Sequence, residues 1–235
     1  MSSIIHNLVN NLAAMAAPPH TVNMYAHQAA DEQEAHGNAI RRNNLVLALT
    51  LALERGPDLL LIGEAPGYNG ARRSGVPFTS EQILLAGVDP PGQFGTTRGF
   101  ALATSDGRIS REQTATIVYR ELQALNRFAV GWNAFPLHPH RPGQPQSNRT
   151  PLQREVMLGL PFLLRFCLLF PRCPVVAMGR IADQALSRLG IVHAVVRHPA
   201  QGGAQMFAAG LRRLFMQSNE STPTQNPVQC NKRIN

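Results

Sequence analysis

The chain has 235 residues, 44% of them hydrophobic, which suits one medium globular domain with a sizeable core. Its 22 basic and 14 acidic residues give a net charge of +8, placed unevenly: residues 141–235 carry 12 basic and 3 acidic side chains, residues 1–140 carry 10 and 11. The three cysteines, Cys167, Cys173 and Cys230, are too few and too poorly spaced for a structural zinc or a four-cysteine iron–sulfur cluster, and no apolar run reaches the roughly 18 residues of a membrane span.

The opening segment, MSSIIHNLVNNLAAMAAPPH, lacks a positive n-region, and asparagines break its apolar stretch. It reads as a loose N-terminal arm over 1–22 rather than a signal peptide, and a cytoplasmic protein is expected. NNLVLALTLALER (43–55) predicts a helix and DLLLIG (58–63) a strand. An amphipathic helix over 111–128, with Ser110 as N-cap, precedes a strand at AVGWNAF, 129–135. The long segment from Thr150 predicts a helix with Thr150 as cap and Pro151 at its first position, kinked or divided at Pro161. Next come a strand (174–179), a helix ending at Gly190 (180–190), a strand (191–198) and a helix (204–217). Residues 217–235 are polar and aperiodic and read as a disordered tail, leaving a folded domain over 23–216. Four strands alternating with helices predict an α/β chain, a three-layer α/β/α sandwich around a central, mainly parallel four-stranded sheet.

Such sheets bind ligands at the carboxyl ends of their strands. Those ends carry GEAPGYNG, NAFPLHPHRPGQPQSNRTP, GRIAD and RHPAQGGA. The first is not a dinucleotide fingerprint, which needs G-x-G-x-x-G opening a helix. No P-loop G-x-x-x-x-G-K-[ST] occurs, and the only lysine is Lys232. The one-sided charge points to a polyanion, nucleic acid first, although 21 of the 22 basic residues being arginine also fits a biased composition.

GEAPGYNGARRSGVPFTSE resembles the first motif of the uracil-DNA glycosylase superfamily, a Gly-acid-x-Pro-Gly turn followed by Pro-Phe. WNAFPLHPH with SNRTP is similar to that superfamily's second region, and RHPAQGGAQMFAAGL resembles its His-Pro motif, which opens a DNA-intercalating loop. The resemblance spans roughly residues 40–215 and lies nearest the branch with Glu in the first motif and its relatives carrying Gly-Ala-x-Arg after it. The first of these usually holds an iron–sulfur cluster on four cysteines; with three here, no cofactor is expected.

The resemblance implies a monofunctional enzyme that hydrolyses the N-glycosidic bond of uracil, or of related deaminated bases, in DNA. Such chemistry needs the base out of the helix, stacked and read along one edge. Phe78 is the candidate stacking face, unless it is plain core. Asn133 is the candidate edge reader, since one amide both donates and accepts; an ordinary turn residue is the other reading. Gly63, Ala65, Pro66, Gly67 and Tyr68 would complete the uracil pocket. His198, stiffened by Pro199, would donate to the developing charge on O2, unless it is only a satisfied strand-end histidine. Glu64 would orient water and stabilise the sugar cation, with Asn69 as the alternative water holder.

Candidates for the DNA path are Arg72, Arg73, Arg141, Asn148, Arg149 and Arg197, with Gln201, Gly202 and Gly203 on the loop after His-Pro; Gln201, Gln205 or Met206 is the candidate wedge. Met206 and Phe207 equally suit the core face of the next helix. A metal-hydrolase reading of His138, His140 and His198 lacks a carboxylate partner, so no metal is expected. With Lys232 alone in the tail, no Schiff-base step is expected. The expected partners are uracil-containing DNA and, as product, free uracil; no membrane is involved and the chain is a monomer. From another class, the rival is a non-catalytic protein that senses uracil or abasic DNA on the same fold.

Overall fold

A computed structural model describes residues 2–220. The remainder, with Cys230, Lys232 and most of the expected disordered tail, lies outside the described residues. Strand β2 (Leu59–Gly63) is buried throughout, which explains its unbroken apolar sequence. It pairs in parallel with β3 (Ala129–Asn133) on one side and β5 (Val175–Met178) on the other, and β5 pairs with β6 (Ala194–Val196). The order β3-β2-β5-β6 is the expected four-stranded sheet, parallel throughout.

Alternate residues of β2 enter two separate cores. Leu60 and Ile62 pack with α1 (Ser2–Ala13), α6 (Gln153–Leu169) and α7 (Arg180–Arg188); Leu59 and Leu61 pack with α5 (Gln113–Ala124) and α8 (Ala204–Glu220). Both faces of the sheet are therefore covered, as the three-layer reading requires.

The N-terminal arm is not loose. In α1, Ile5, Leu8, Val9 and Leu12 are buried at helical spacing, and the asparagines that break the linear apolar run, Asn7, Asn10 and Asn11, fall on the exposed face. The Asn23 amide donates to the Leu12 and Met15 carbonyls (both 2.9 Å), closing the helix end. Strand β1 (Thr21–Val22) then pairs antiparallel with β4 (His138–Pro139), a ribbon the sequence did not suggest.

Helix α2 (Glu32–Arg55) begins eleven residues before the expected start, capped by Asp31, which accepts from the Glu34 N–H at 2.7 Å. Its first half lacks apolar periodicity because its inward face is polar: Asn38, Arg41 and Asn44 are buried and bond the 73–74 and 101 carbonyls and each other. Helix α5 is capped by Glu112 instead of Ser110, and α6 by Leu152 instead of Thr150, with the Glu155 carboxylate accepting from the Leu152 N–H at 2.7 Å. Helix α6 runs on through Pro161 undivided. Its Gly159 touches the end of β3, where a Cβ would lie 2.0 Å from the Ala134 carbonyl oxygen. The tail's first residues, 217–220, extend α8.

Candidate active site

Gly63 ends β2 directly opposite Asn133 at the end of β3. The ladder continues past both: Ala134 N–H donates to the Gly63 carbonyl (2.8 Å) and Phe135 N–H to that of Glu64 (3.0 Å). Gly131 shares the face of Gly63 and Asn133, two residues back along β3. These two glycines leave a shelf, and the Phe78 ring lies on it. A Cβ on Gly131 would be 2.3 Å from Phe78 Cδ2; one on Gly63 would be 2.5 Å from Phe78 Cζ and 2.9 Å from Asn133 Oδ1. The ring thus continues one core layer up to the Asn133 amide, and the core reading of Phe78 holds as well.

Short helix α3 (Ala71–Ser74) and the turn after it bring Phe78 there. The Thr79 hydroxyl donates to the Val76 carbonyl (2.7 Å) and meets Ser74 Oγ (2.7 Å), fixing a backbone in which Phe78 takes φ 59°. Asn133 is 4% exposed, and among the described residues its side-chain amide makes no hydrogen bond, while its polar atoms still open to solvent and are not among those sealed without a partner. An ordinary turn asparagine would bond its own backbone; this one holds a donor and an acceptor unspent beside an aromatic ring.

The 63–70 loop is braced from outside. His138, fully buried, presents Nδ1 to the Pro66 carbonyl (2.8 Å) and Nε2 to that of Pro145 (3.2 Å). The Asn148 side-chain oxygen accepts from Tyr68 N–H at 2.8 Å. Glu64 is half-buried and pairs with no arginine among the described residues. Burial pushes its pKa up, against the opposing pull of the Thr150 hydroxyl. The Asn69 side-chain oxygen, by contrast, accepts from Arg108. The sequence reading missed two members of this end. Gly131 makes the ring's shelf, and its signal was an unexplained glycine inside a strand. Glu112 faces the far side of the loop, with Oε1 3.8 Å from where a Gly67 side chain would begin; it was overlooked because it opens a helix instead of following a strand.

His198 follows β6, two strands from β2 and so about 10 Å across the sheet. Its Nδ1 accepts from Ala200 N–H at 3.1 Å, which assigns the neutral ring's proton to Nε2. Burial, then the Arg197 charge, lowers its pKa and favours that neutral form. Beyond it the chain turns tightly: a Cβ on Gly203 would meet the His198 carbonyl oxygen at 2.0 Å. Gln201 and Gly202 are exposed, both at positive φ; Met206 is 57% exposed while Phe207 is buried in the core.

The arginines divide. Arg73 is 4% exposed, pairs with Glu81 (2.8 Å) and Asp106 (2.7 Å), and donates to the Arg108 carbonyl. Arg149 forks onto both oxygens of Glu155 (2.7 Å each) and bonds the His140 carbonyl. Arg73 is thus spent inside the protein, while Arg149, still partly exposed, is held on Glu155. Arg72 pairs with Glu34 at 3.3 Å, and Asn148 is committed to the loop. Arg141 and Arg197 are exposed and, among the described residues, pair with no carboxylate. The rings of His138 and His140 are 6.2 Å apart, and among the described residues no three His, Cys, Asp or Glu side chains form a metal-holding group. No helix there is long and apolar enough to cross a membrane.

Residues 52–229 match the sequence model of the uracil DNA glycosylase superfamily. No curated protein matches the chain in sequence. In three dimensions the chain is similar to the crystal structure of wild-type SMUG2 from Pedobacter heparinus, with a TM-score of 0.61 over 93% of this chain and 99% of that one, at 12% identity. At that identity the likeness carries the fold.

Proposed function

The chain belongs to the uracil-DNA glycosylase superfamily, and from that premise we propose that it is a monofunctional glycosylase hydrolysing the N-glycosidic bond of uracil in DNA. The observation that carries this is Asn133, a nearly buried residue at the strand end whose amide opens to solvent beside the Phe78 ring and makes no hydrogen bond among the described residues. A flipped uracil stacks on Phe78, its N3–H bonds Asn133 Oδ1, and its O4 accepts from Asn133 Nδ2. Gly63, Ala65, Pro66, Gly67 and Tyr68 wall the pocket.

As the C1′–N1 bond breaks, its electron pair passes into the uracil ring and charge collects on O2. The Nε2–H of His198 donates to that oxygen; a neutral imidazole does so without surrendering its proton. The sugar becomes a cation that water attacks at C1′. Glu64 orients that water, takes its proton and stabilises the cation, a role its raised pKa and lack of an arginine partner support. Asn69, its oxygen engaged by Arg108, is the weaker candidate.

The test is a single-turnover assay on a uracil-containing oligonucleotide with wild type, Glu64→Ala, Asn133→Ala and His198→Ala. Wild type excises, and each variant is slower by about 100-fold or more. Wild type that binds the oligonucleotide yet never excises at any enzyme excess would leave a uracil- or abasic-DNA sensor instead. Borohydride trapping of a covalent adduct would overturn the monofunctional assignment.

A further inference from the structure

Helix α6 buries one side and leaves the other open. Leu160, Leu163 and Phe166 enter the core, whereas Met157 (46% exposed), Leu158 (48%), Leu164 (38%) and Leu168 (66%) face outward, with Pro161 exposed among them. Met157, Pro161, Leu164 and Leu168 stand at i, i+4, i+7 and i+11, a single stripe about 16 Å long. Exposed apolar residues scattered singly need no explanation, but a contiguous stripe on one helix marks a contact surface.

The charge around the stripe has one sign. Arg154 lies one turn before Met157 and Leu158, and Arg165 stands within the stripe, between Pro161 and Leu168 on the helix surface. From α7, Arg188 reaches the Met157 sulfur at 3.9 Å. All three arginines are exposed, and among the described residues none has a carboxylate within ion-pair distance. The elements packed most closely on α6, which are α1, β3 and α7, supply one acidic residue, Asp183, and it pairs with His193 at 2.9 Å. The one acid of α6 itself, Glu155, is buried on Arg149.

We propose that this face docks an acidic amphipathic helix of another protein. The apolar side of that helix covers Met157, Pro161, Leu164 and Leu168, and its carboxylates meet Arg154, Arg165 and Arg188. A second copy of this chain is the wrong occupant: an isologous contact sets the face against itself, arginine against arginine, with no unpaired carboxylate on or beside it among the described residues. A lipid surface would have to take Arg165 into its apolar layer together with the leucines on either side. The stripe offers apolar area on the order of a few hundred Å², short of the ~800 Å² per partner in a standard interface. It therefore suits one helix and not a folded domain. No residue of the uracil pocket takes part, and the inference does not rest on the excision reading.

Fluorescence anisotropy with the full chain tests it, using a labelled alanine-based peptide of about 16 residues, long enough to form a helix. The peptide carries leucine at i, i+4, i+7 and i+11 and glutamate along both flanks of that stripe. It binds in the micromolar range, and versions with lysine for glutamate or serine for leucine bind at least about tenfold more weakly. Leu168→Ser and Arg165→Glu each weaken the glutamate peptide by about tenfold or more, while Asn133→Ala binds it as wild type does. Both replaced side chains on α6 are exposed, so these variants keep the wild-type Tm. No binding at millimolar peptide, a lysine peptide bound as tightly, or wild-type affinity in either α6 variant would overturn the proposal. So would sedimentation with vesicles of equimolar phosphatidylglycerol and phosphatidylcholine, or dimerisation in the ultracentrifuge, that Leu168→Ser abolishes.

Discussion

Replacing Gly131 by alanine puts a Cβ 2.3 Å from Phe78 Cδ2 and 3.0 Å from its Cε2, with the Pro77 carbonyl oxygen at 3.3 Å. Carbon–carbon contact requires about 3.5 Å, so the ring must retreat by roughly 1 Å. Its backbone follows poorly, because Phe78 is locked at positive φ by the Thr79, Val76 and Ser74 bonds. Overpacking of this kind costs about 1–3 kcal/mol, and at this chain length that is a fall in Tm of roughly 2–12 °C. A displacement of about 1 Å at a base-holding surface lowers single-turnover excision by roughly 100-fold. Thermal unfolding and excision from a uracil oligonucleotide are measured on wild type, Gly131→Ala, Phe78→Ala and the double variant. Phe78→Ala removes the clashing ring along with the platform. On that background Gly131→Ala should therefore cost almost nothing in Tm or rate. Wild-type rate and Tm in Gly131→Ala, or an equal cost on both backgrounds, would refute the shelf.

In the proposed mechanism Glu64 must be ionised to take a proton, and burial raises its pKa above the ordinary 4.5; excision should therefore fall on the acid side through a pKa above that value, and Glu64→Gln should lower the rate by about 100-fold or more and abolish the limb. A persisting limb in Glu64→Gln would assign it to another group. His138 and His198 are both pushed below the ordinary 6.5 by burial, so below that pH the unfolded chain binds more protons than the folded one. Stability in urea is accordingly lost as pH falls from about 6.5 through the lowered folded values, and His138→Gln flattens the slope. Arg73→Gln strands the buried Glu81 carboxylate and destabilises by about 3–5 kcal/mol, with the salt dependence of DNA binding unchanged. Arg197→Ala instead lowers that salt slope by about 1 and leaves the urea midpoint unmoved.

The sheet was legible because its strands are short apolar runs between helical patterns, and β2 is buried on both faces. Strand ends came out one to three residues too long, since pairing and not hydrophobicity sets them. The N-terminal helix was misread for a specific reason: a linear scan counts Asn7, Asn10 and Asn11 as interruptions, while on a helix they share the exposed side. The first half of α2 was invisible because its buried face is amides and a guanidinium bonded to loop carbonyls up to 57 residues away. No local period announces such a face.

The same distinction separates the site residues that sequence can assign from those it cannot. Asn133, Phe78 and His198 can be proposed from sequence because their positions follow from the chain's own local grammar, a strand ending or a turn tightened by proline. An arginine's task depends on which carboxylate folding brings to it. Arg73 meets Asp106 across 33 residues and is buried, Arg149 meets Glu155 across 6 and stays only partly exposed, while Arg197 meets no carboxylate among the described residues and is exposed. Net charge is thus a poor guide to the proposed DNA path: it counts Arg73 and Arg149, held by carboxylates, equally with the exposed Arg141 and Arg197. The same reasoning makes the unpaired groups the informative ones. Asn133 is such a group: the residue is nearly buried beside the Phe78 ring, and its amide makes no hydrogen bond among the described residues while still opening to solvent. In the proposed pocket a flipped base would take the place of the water that this amide now meets.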